Sequence, residues 1–118
     1  MAEDGLRRRA PRVRLALEGS LTGRRNVRWD VGVLDLSLSG CLVRCPGHLG
    51  AGEILDLRLA LGDETVVAKV QVADSSVDGA GDSPGFLVGL RFFALQVDDE
   101  RRLRAFIEGE RRRASASA

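Results

Sequence analysis

Residues 27–45 read VRWDVGVLDLSLSGCLVRC, and this stretch does most to decide the fold. Apolar residues alternate along its first half, which predicts a strand with one buried face. The polar segment DLSLSG follows at residues 35–40. Asp35 and Ser37 are two apart, so both should point to that same face in an extended chain. Asp, Ser and Gly are ordinary turn residues, and Gly40 offers backbone freedom for a tight turn and room for a ligand to approach.

Alternation of the same kind recurs on both sides of this stretch and predicts six strands in all. A Gly-Asp turn at residues 62–63 separates two of the runs, which indicates a β-hairpin. Six short strands with turn signals between them favour a closed antiparallel barrel, because closure removes exposed strand edges. The alternating apolar positions are Val13, Leu15, Leu17 and Leu21; Val27, Trp29, Val31 and Val33; residues 41–45; Leu55, Leu57, Leu59 and Leu61; Val66, Ala68, Val70 and Val72; Phe86, Val88, Leu90 and Phe92.

The period changes after the sixth strand, where the pattern is typical of one amphipathic helix. Leu103, Phe106 and Ile107 share a face at helical spacing, and Asp98 is a candidate N-cap. The predicted fold class is therefore all-β, a six-stranded antiparallel β-barrel with one C-terminal α-helix. The polar, glycine-rich residues 75–85 predict a long loop between the fifth and sixth strands.

The chain of 118 residues is one domain by length, and no apolar run is long enough for a transmembrane helix. Its first five residues lack the apolar core of a signal peptide, so a cytoplasmic location is expected. The pattern divides the chain into a flexible Arg-rich linker at 1–11, a barrel with its helix at 12–110, and a disordered tail at 111–118.

Basic side chains gather at the two ends of the chain. Residues 1–28 carry eight Arg against three acids, residues 29–98 carry four basic side chains against ten acids, and the last twenty residues carry six Arg against four acids. Basic ends suggest an anionic partner, or else solvated tails. Seventeen of the eighteen basic residues are Arg, a bias that a GC-rich genome would also produce.

The first basic cluster contains Arg-x-x-x-Arg at Arg8 and Arg12, and it precedes the Asp-x-Ser-x-x-Gly of residues 35–40. This order and spacing resemble the PilZ domain family of small bacterial β-barrels, which bind cyclic di-GMP. The sequence GLRF at residues 89–92 is similar to the Gly-x-x-Phe of the family's last barrel strand. The resemblance runs from about Arg7 to the C-terminal helix.

The resemblance implies a ligand-binding protein and not an enzyme, with cyclic di-GMP as its ligand and no cofactor. Arginine suits this ligand, because its planar fork pairs with phosphate oxygens, bonds O6 and N7 of guanine, and stacks on the ring. An aspartate can accept hydrogen bonds from guanine's other edge, and a serine can donate to a phosphate or hold the turn. The implied ligand-binding residues are Arg8, Arg12, Asp35, Ser37 and Gly40, with Arg7 and Arg9 as candidates for additional contacts. Arg28 and Arg91 lie on predicted strands and can equally be solvated surface.

Other chemistries have weaker support in the residues. Asp35, Ser37 and His48 are the types found in a catalytic triad, but Ser37 does not lie in a nucleophile elbow. Cys41, Cys45 and His48 are one ligand short of a structural zinc site, so no metal is predicted. In one strand the two cysteines would be about 13 Å apart, too far for a disulfide. Buried free thiols are predicted instead.

Two alternative functions come from other classes. A small β-barrel that binds single-stranded nucleic acid fits the basic ends, but Trp29 is the only strand residue that is Trp or Tyr, so base stacking has little support. A ligand-free adaptor of the same fold would act through protein contacts alone. The favoured hypothesis is a receptor that passes the second-messenger signal to an unidentified partner protein as its Arg-rich linker becomes ordered on the ligand.

Overall fold

Six antiparallel strands close into a barrel, with one helix packed against it. The computed structural model describes residues 13–79 and 85–117. Around the barrel the strand order is β1-β2-β3-β6-β5-β4, with β4 hydrogen-bonded back to β1. The predicted fold class is therefore confirmed. The strands are β1 Val13–Thr22, β2 Arg28–Leu36, β3 Gly40–Cys45, β4 Ile54–Leu61, β5 Glu64–Asp78 and β6 Gly85–Leu95, and the helix α1 is Val97–Ser117.

The barrel interior is filled by Leu and Val from alternate positions of every strand, as the period of two requires. This layer removes apolar surface from water, which is the main favourable contribution to folding. The fully buried Leu and Val side chains are Leu21, Leu36, Leu57, Leu59, Leu90, Leu103, Val33, Val43, Val66, Val70, Val72 and Val88.

The fifth strand is longer than the sequence predicted. Residues 75–78, predicted as loop, continue β5 and pair with residues 85–88 of β6. The prediction was wrong because residues 75–78 carry no buried apolar alternation, although they are strand residues; Val77 is 74% exposed. Pairing with β6 and the ion pair of Arg44 Nε with Asp78 Oδ2 (3.1 Å) stabilise it instead.

Helix α1 packs against β5 and β1 through its apolar face. Leu103 and Ile107 are buried, as the helical spacing predicted. The helix starts at Val97, so Asp98 lies in its first turn and is not the N-cap. The helix also continues through residues 111–117, where the sequence suggested a disordered tail. Arg and Ala, which dominate that end, are strong helix formers.

Candidate functional site

A β-bulge in β2 sets the direction of the Asp35 side chain. Val33 pairs with Val43 and Asp35 pairs with Leu42, which leaves Leu34 as an extra residue without a partner on β3. Leu34 is 39% exposed and Leu36 is fully buried. The prediction that Asp35 continues the buried face was therefore wrong. The inserted residue reverses the alternation, and the half-buried Asp35 lies on the outer surface of the barrel.

Ser37 lies in the turn after β2 and is fully buried. Its Oγ accepts the backbone N–H of Ser39 (3.2 Å) and of Gly40 (3.3 Å), and it lies 3.0 Å from Ser39 Oγ. The backbone N–H of Ser37 donates to the Gly40 carbonyl at 2.9 Å. The sequence left two roles open to Ser37, donating to a phosphate or holding the turn. These hydrogen bonds account for the second role.

Gly40 begins β3 at a point where the strands β3 and β6 lie very close. A Cβ at this position would overlap the carbonyl oxygen of Leu90 and would lie 3.2 Å from Arg91 Cα. The backbone φ of Gly40 is not in the left-handed region; among the described glycines only Gly52 and Gly62 are. Glycine is therefore required here by the approach of β6, and not by the turn freedom that the sequence suggested.

The outer surface beside this turn is formed by neighbouring positions of four strands. Asp35 lies opposite Leu42, Leu42 opposite Gly89, and Gly89 opposite Asp74. The Gly89 N–H donates to Asp74 Oδ1 at 3.2 Å. We call the surface made by Asp35, Gly40, Leu42, Gly89 and Arg91 the β3–β6 face.

Arg91 is the arginine that the described structure brings to this face. It lies opposite Gly40 on one side and Gln71 on the other, and its Nη2 donates to Gln71 Oε1 at 3.0 Å. The side chain is half-buried, unlike the solvated arginine that the sequence also allowed. The GLRF similarity at residues 89–92 marked this segment. Nothing in the sequence marked Gln71 or Asp74.

The predicted arginines of the linker, Arg7, Arg8, Arg9 and Arg12, lie outside the described residues. Val13, which follows Arg12, pairs with Leu36, and the next backbone position pairs with Asp35. The chain therefore enters β1 directly beside the Asp-x-Ser-x-x-Gly segment.

The remaining candidates from the sequence lie on β3 and the loop after it. Cys41 and Cys45 are buried in the core as free thiols, and burial raises the pKa of Cys45. The His48 ring contacts Phe86 edge-on, with centroids 5.3 Å apart. No group of three potential metal ligands occurs within residues 13–79 and 85–117. Nor is the described helix long and apolar enough to cross a membrane.

Comparison with known proteins identifies the type of domain. The family model of the PilZ domain matches residues 6–109. Among solved structures, the PilZ domain of YcgR from Escherichia coli with c-di-GMP is 21% identical with a TM-score of 0.75, over 94% of this chain and 96% of that one.

Two longer proteins contain a similar domain. MrkH from K. pneumonia, in its complex with c-di-GMP, is 19% identical with a TM-score of 0.78, over 93% of this chain and 55% of that one. The Bacillus subtilis inhibitor of motility MotI is 19% identical with a TM-score of 0.74, over 95% and 53%. The chain thus spans about half the length of these two proteins. No curated protein matches the sequence at a significant level.

Proposed function

The chain belongs to the PilZ domain family, and on that premise we propose that it is a bacterial cytoplasmic receptor for cyclic di-GMP. The observation that carries the proposal is the outward carboxylate of Asp35, which is set by the bulge in β2 and adjoins the start of β1, the strand that follows Arg12 in the sequence. Solved relatives of the same fold, the YcgR domain and MrkH, are described in complex with c-di-GMP. These relatives support the same ligand for this chain.

Each proposed contact follows from the chemistry of the ligand. Cyclic di-GMP carries two phosphates and two guanines. Arg8 and Arg12 supply planar forks for phosphate oxygens or for O6 and N7 of guanine, with Arg7 and Arg9 beside them. Asp35 accepts hydrogen bonds from the N–H groups on the other edge of guanine. Ser37 and Gly40 contribute by holding the turn and the β3–β6 contact beside Asp35.

A receptor of this kind acts by changing its contacts with another protein. Ligand phosphates would neutralise the mutual repulsion of the arginines at residues 7–12 and hold that segment against β2. The ordered segment would then present a new surface to a partner, which is an order–disorder switch. Affinity capture with and without cyclic di-GMP would identify the partner protein.

Calorimetric titration with cyclic di-GMP tests the proposal. We expect stoichiometric binding by the wild-type protein, with GTP and cyclic di-AMP much weaker. Replacing Arg8, Arg12 or Asp35 by Ala should each cost about 2–4 kcal/mol, because each removes one partner of a charge-assisted contact. That cost corresponds to roughly 30- to 1,000-fold in affinity.

The control is Arg58→Ala, because Arg58 lies on β4, three strands from β3 in either direction around the barrel. Its affinity should equal that of the wild type. If all three site variants bind within threefold of the wild type, the site assignment is wrong. If the wild type binds no cyclic di-GMP but binds oligonucleotides or a partner directly, the receptor function is wrong.

A further inference from the structure

We propose that Arg91, positioned by Gln71, is a further ligand-contact residue that reads the O6 and N7 edge of guanine from the β6 side of the site. The inference rests on the proposed function, since it concerns the same ligand. It adds a contact from the second half of the chain to a site otherwise built from the linker and β2. It also assigns guanine selectivity to a specific side chain.

The position of Arg91 follows from the strand register. Arg91 lies directly opposite Gly40, so its Cα is within van der Waals reach of any Cβ placed there. The neighbouring Phe92 N–H donates to the Ser39 carbonyl at 3.0 Å. Leu90 is fully buried, so the next residue along β6 projects from the outer surface. Arg91 therefore lies on the same outer surface as Asp35, against the same turn.

Gln71 limits the conformations that Arg91 can adopt. The 3.0 Å hydrogen bond from Arg91 Nη2 to Gln71 Oε1 joins two side chains that are both half-buried. An arginine that is already held loses less side-chain entropy when it binds a ligand. Gln71 is a neutral amide, so this hydrogen bond orients the guanidinium and does not itself cancel its charge.

The surface between Arg91 and Asp35 contains two glycines, and neighbouring atoms occupy the place of a side chain at each. The Leu90 carbonyl oxygen does so at Gly40, and Asp74 Oδ1 would lie 2.6 Å from a Cβ at Gly89. Leu42 is the apolar residue between Asp35 and Gly89. Asp35 and Arg91 lie two strands apart and two residues apart along the strands, which places them about 12 Å from each other. An acceptor and a forked donor thus lie on either side of Leu42 and Gly89, with room for a base between them.

The Arg91 guanidinium can distinguish guanine from adenine. An arginine fork bonds two acceptors, O6 and N7, on guanine, whereas adenine presents a donor in place of O6. A bidentate contact of this type discriminates between bases by roughly 5- to 150-fold. Lysine provides a point charge and cannot reproduce the fork.

The test compares cyclic di-GMP with cyclic di-AMP, by direct calorimetry and by competition. We expect Arg91→Met to lower the affinity for cyclic di-GMP by roughly 5- to 150-fold. The affinity for cyclic di-AMP should change much less, so that the ratio of the two affinities becomes smaller. Arg91→Lys should behave similarly. Gln71→Leu should cause a smaller loss, and no further loss in a protein that already carries Arg91→Met, since Gln71 acts through Arg91. Arg58→Met on β4 is the matched control and should change neither affinity.

The outcomes separate this inference from the proposed function. If the wild type binds cyclic di-GMP and both Arg91 variants, folded by circular dichroism, bind within twofold of it, Arg91 is not a contact residue. If they lose both ligands equally, the guanine assignment is overturned. A wild-type protein that binds no cyclic di-GMP refutes the proposed function itself, and this inference with it.

Discussion

Ser37 and Gly40 each have a structural role that is independent of any ligand. The buried Ser37 hydroxyl accepts the backbone N–H groups of Ser39 and Gly40, and so satisfies polar groups of the turn. Gly40 has no side chain because the carbonyl of Leu90 occupies the place where one would lie. In the described site, Asp35 is the motif residue whose side chain lies on the surface. The motif is therefore one outward-facing, half-buried carboxylate beside a turn that the other two residues stabilise.

The role of Gly40 predicts a loss of stability in the ligand-free protein. Gly40→Ala should lower the free energy of unfolding by about 1–3 kcal/mol or more, because β3 and β6 must separate to admit the methyl group. Gly32→Ala is the matched control, since a Cβ at that strand position meets nothing within 4 Å. Urea unfolding measures both. If Gly40→Ala and Gly32→Ala have equal free energies of unfolding, Gly40 can carry a side chain without cost and this account of Gly40 is wrong.

At the scale of the element, the bulge in β2 decides which residues of the motif are core and which are site. It makes Leu36 a core residue between Asp35 and the turn. Leu36→Ala should destabilise the protein by about 2–5 kcal/mol, because it leaves a cavity in the barrel. Leu34→Ala, at the exposed bulge, should cost only about 0.5 kcal/mol. Thermal and urea unfolding compare the two variants, and a greater loss from Leu34→Ala would mean that the alternation is not reversed.

The bulge also shows where sequence reasoning stops. Alternating residues predicted six strands and the helix face, since burial imposes periods of 2 and 3.6. The apolar positions change from odd to even numbers between Val33 and Leu34, but the change alone does not distinguish a bulge within β2 from the end of a strand. The polar end of β5 was taken for loop because residues 75–78 lack apolar alternation, and strand pairing with β6 stabilises that end. The local pattern of apolar residues indicates which positions are buried, whereas strand register depends on partner strands that are distant in the sequence.

At the scale of the molecule, barrel closure brings distant parts of the sequence to one surface. Closure places β6 beside β3, so Arg91 lies opposite Gly40, fifty-one residues earlier in the chain. The pairing of the consecutive strands β1 and β2 places the first residues of β1 beside Asp35. The sequence named the motif residues but could not name Gln71 or Arg91 as neighbours, because their contact depends on which strands become adjacent.

The same architecture predicts how the ligand acts. Residues 7–12 contain four arginines, and β1, which follows them in the sequence, begins beside Leu36 and Asp35. Fixing each flexible residue costs on the order of 1–2 kcal/mol, so several phosphate and guanine contacts are needed to order this segment. Pro11 limits that cost, because it fixes its own φ and biases the preceding residue towards an extended shape.

Hydrogen exchange on the free protein and on the protein saturated with cyclic di-GMP tests this account most directly. We predict that exchange slows at residues 5–12, at 35–40 and at Arg91, while the amides of β4, on the far side of the barrel, keep their rates. Protection at 5–12 would show that the linker is ordered by the ligand. If residues 5–12 exchange equally in the two states, the ligand does not order the linker. If the protection appears on β4 instead, the ligand does not bind this surface. Either result contradicts the account.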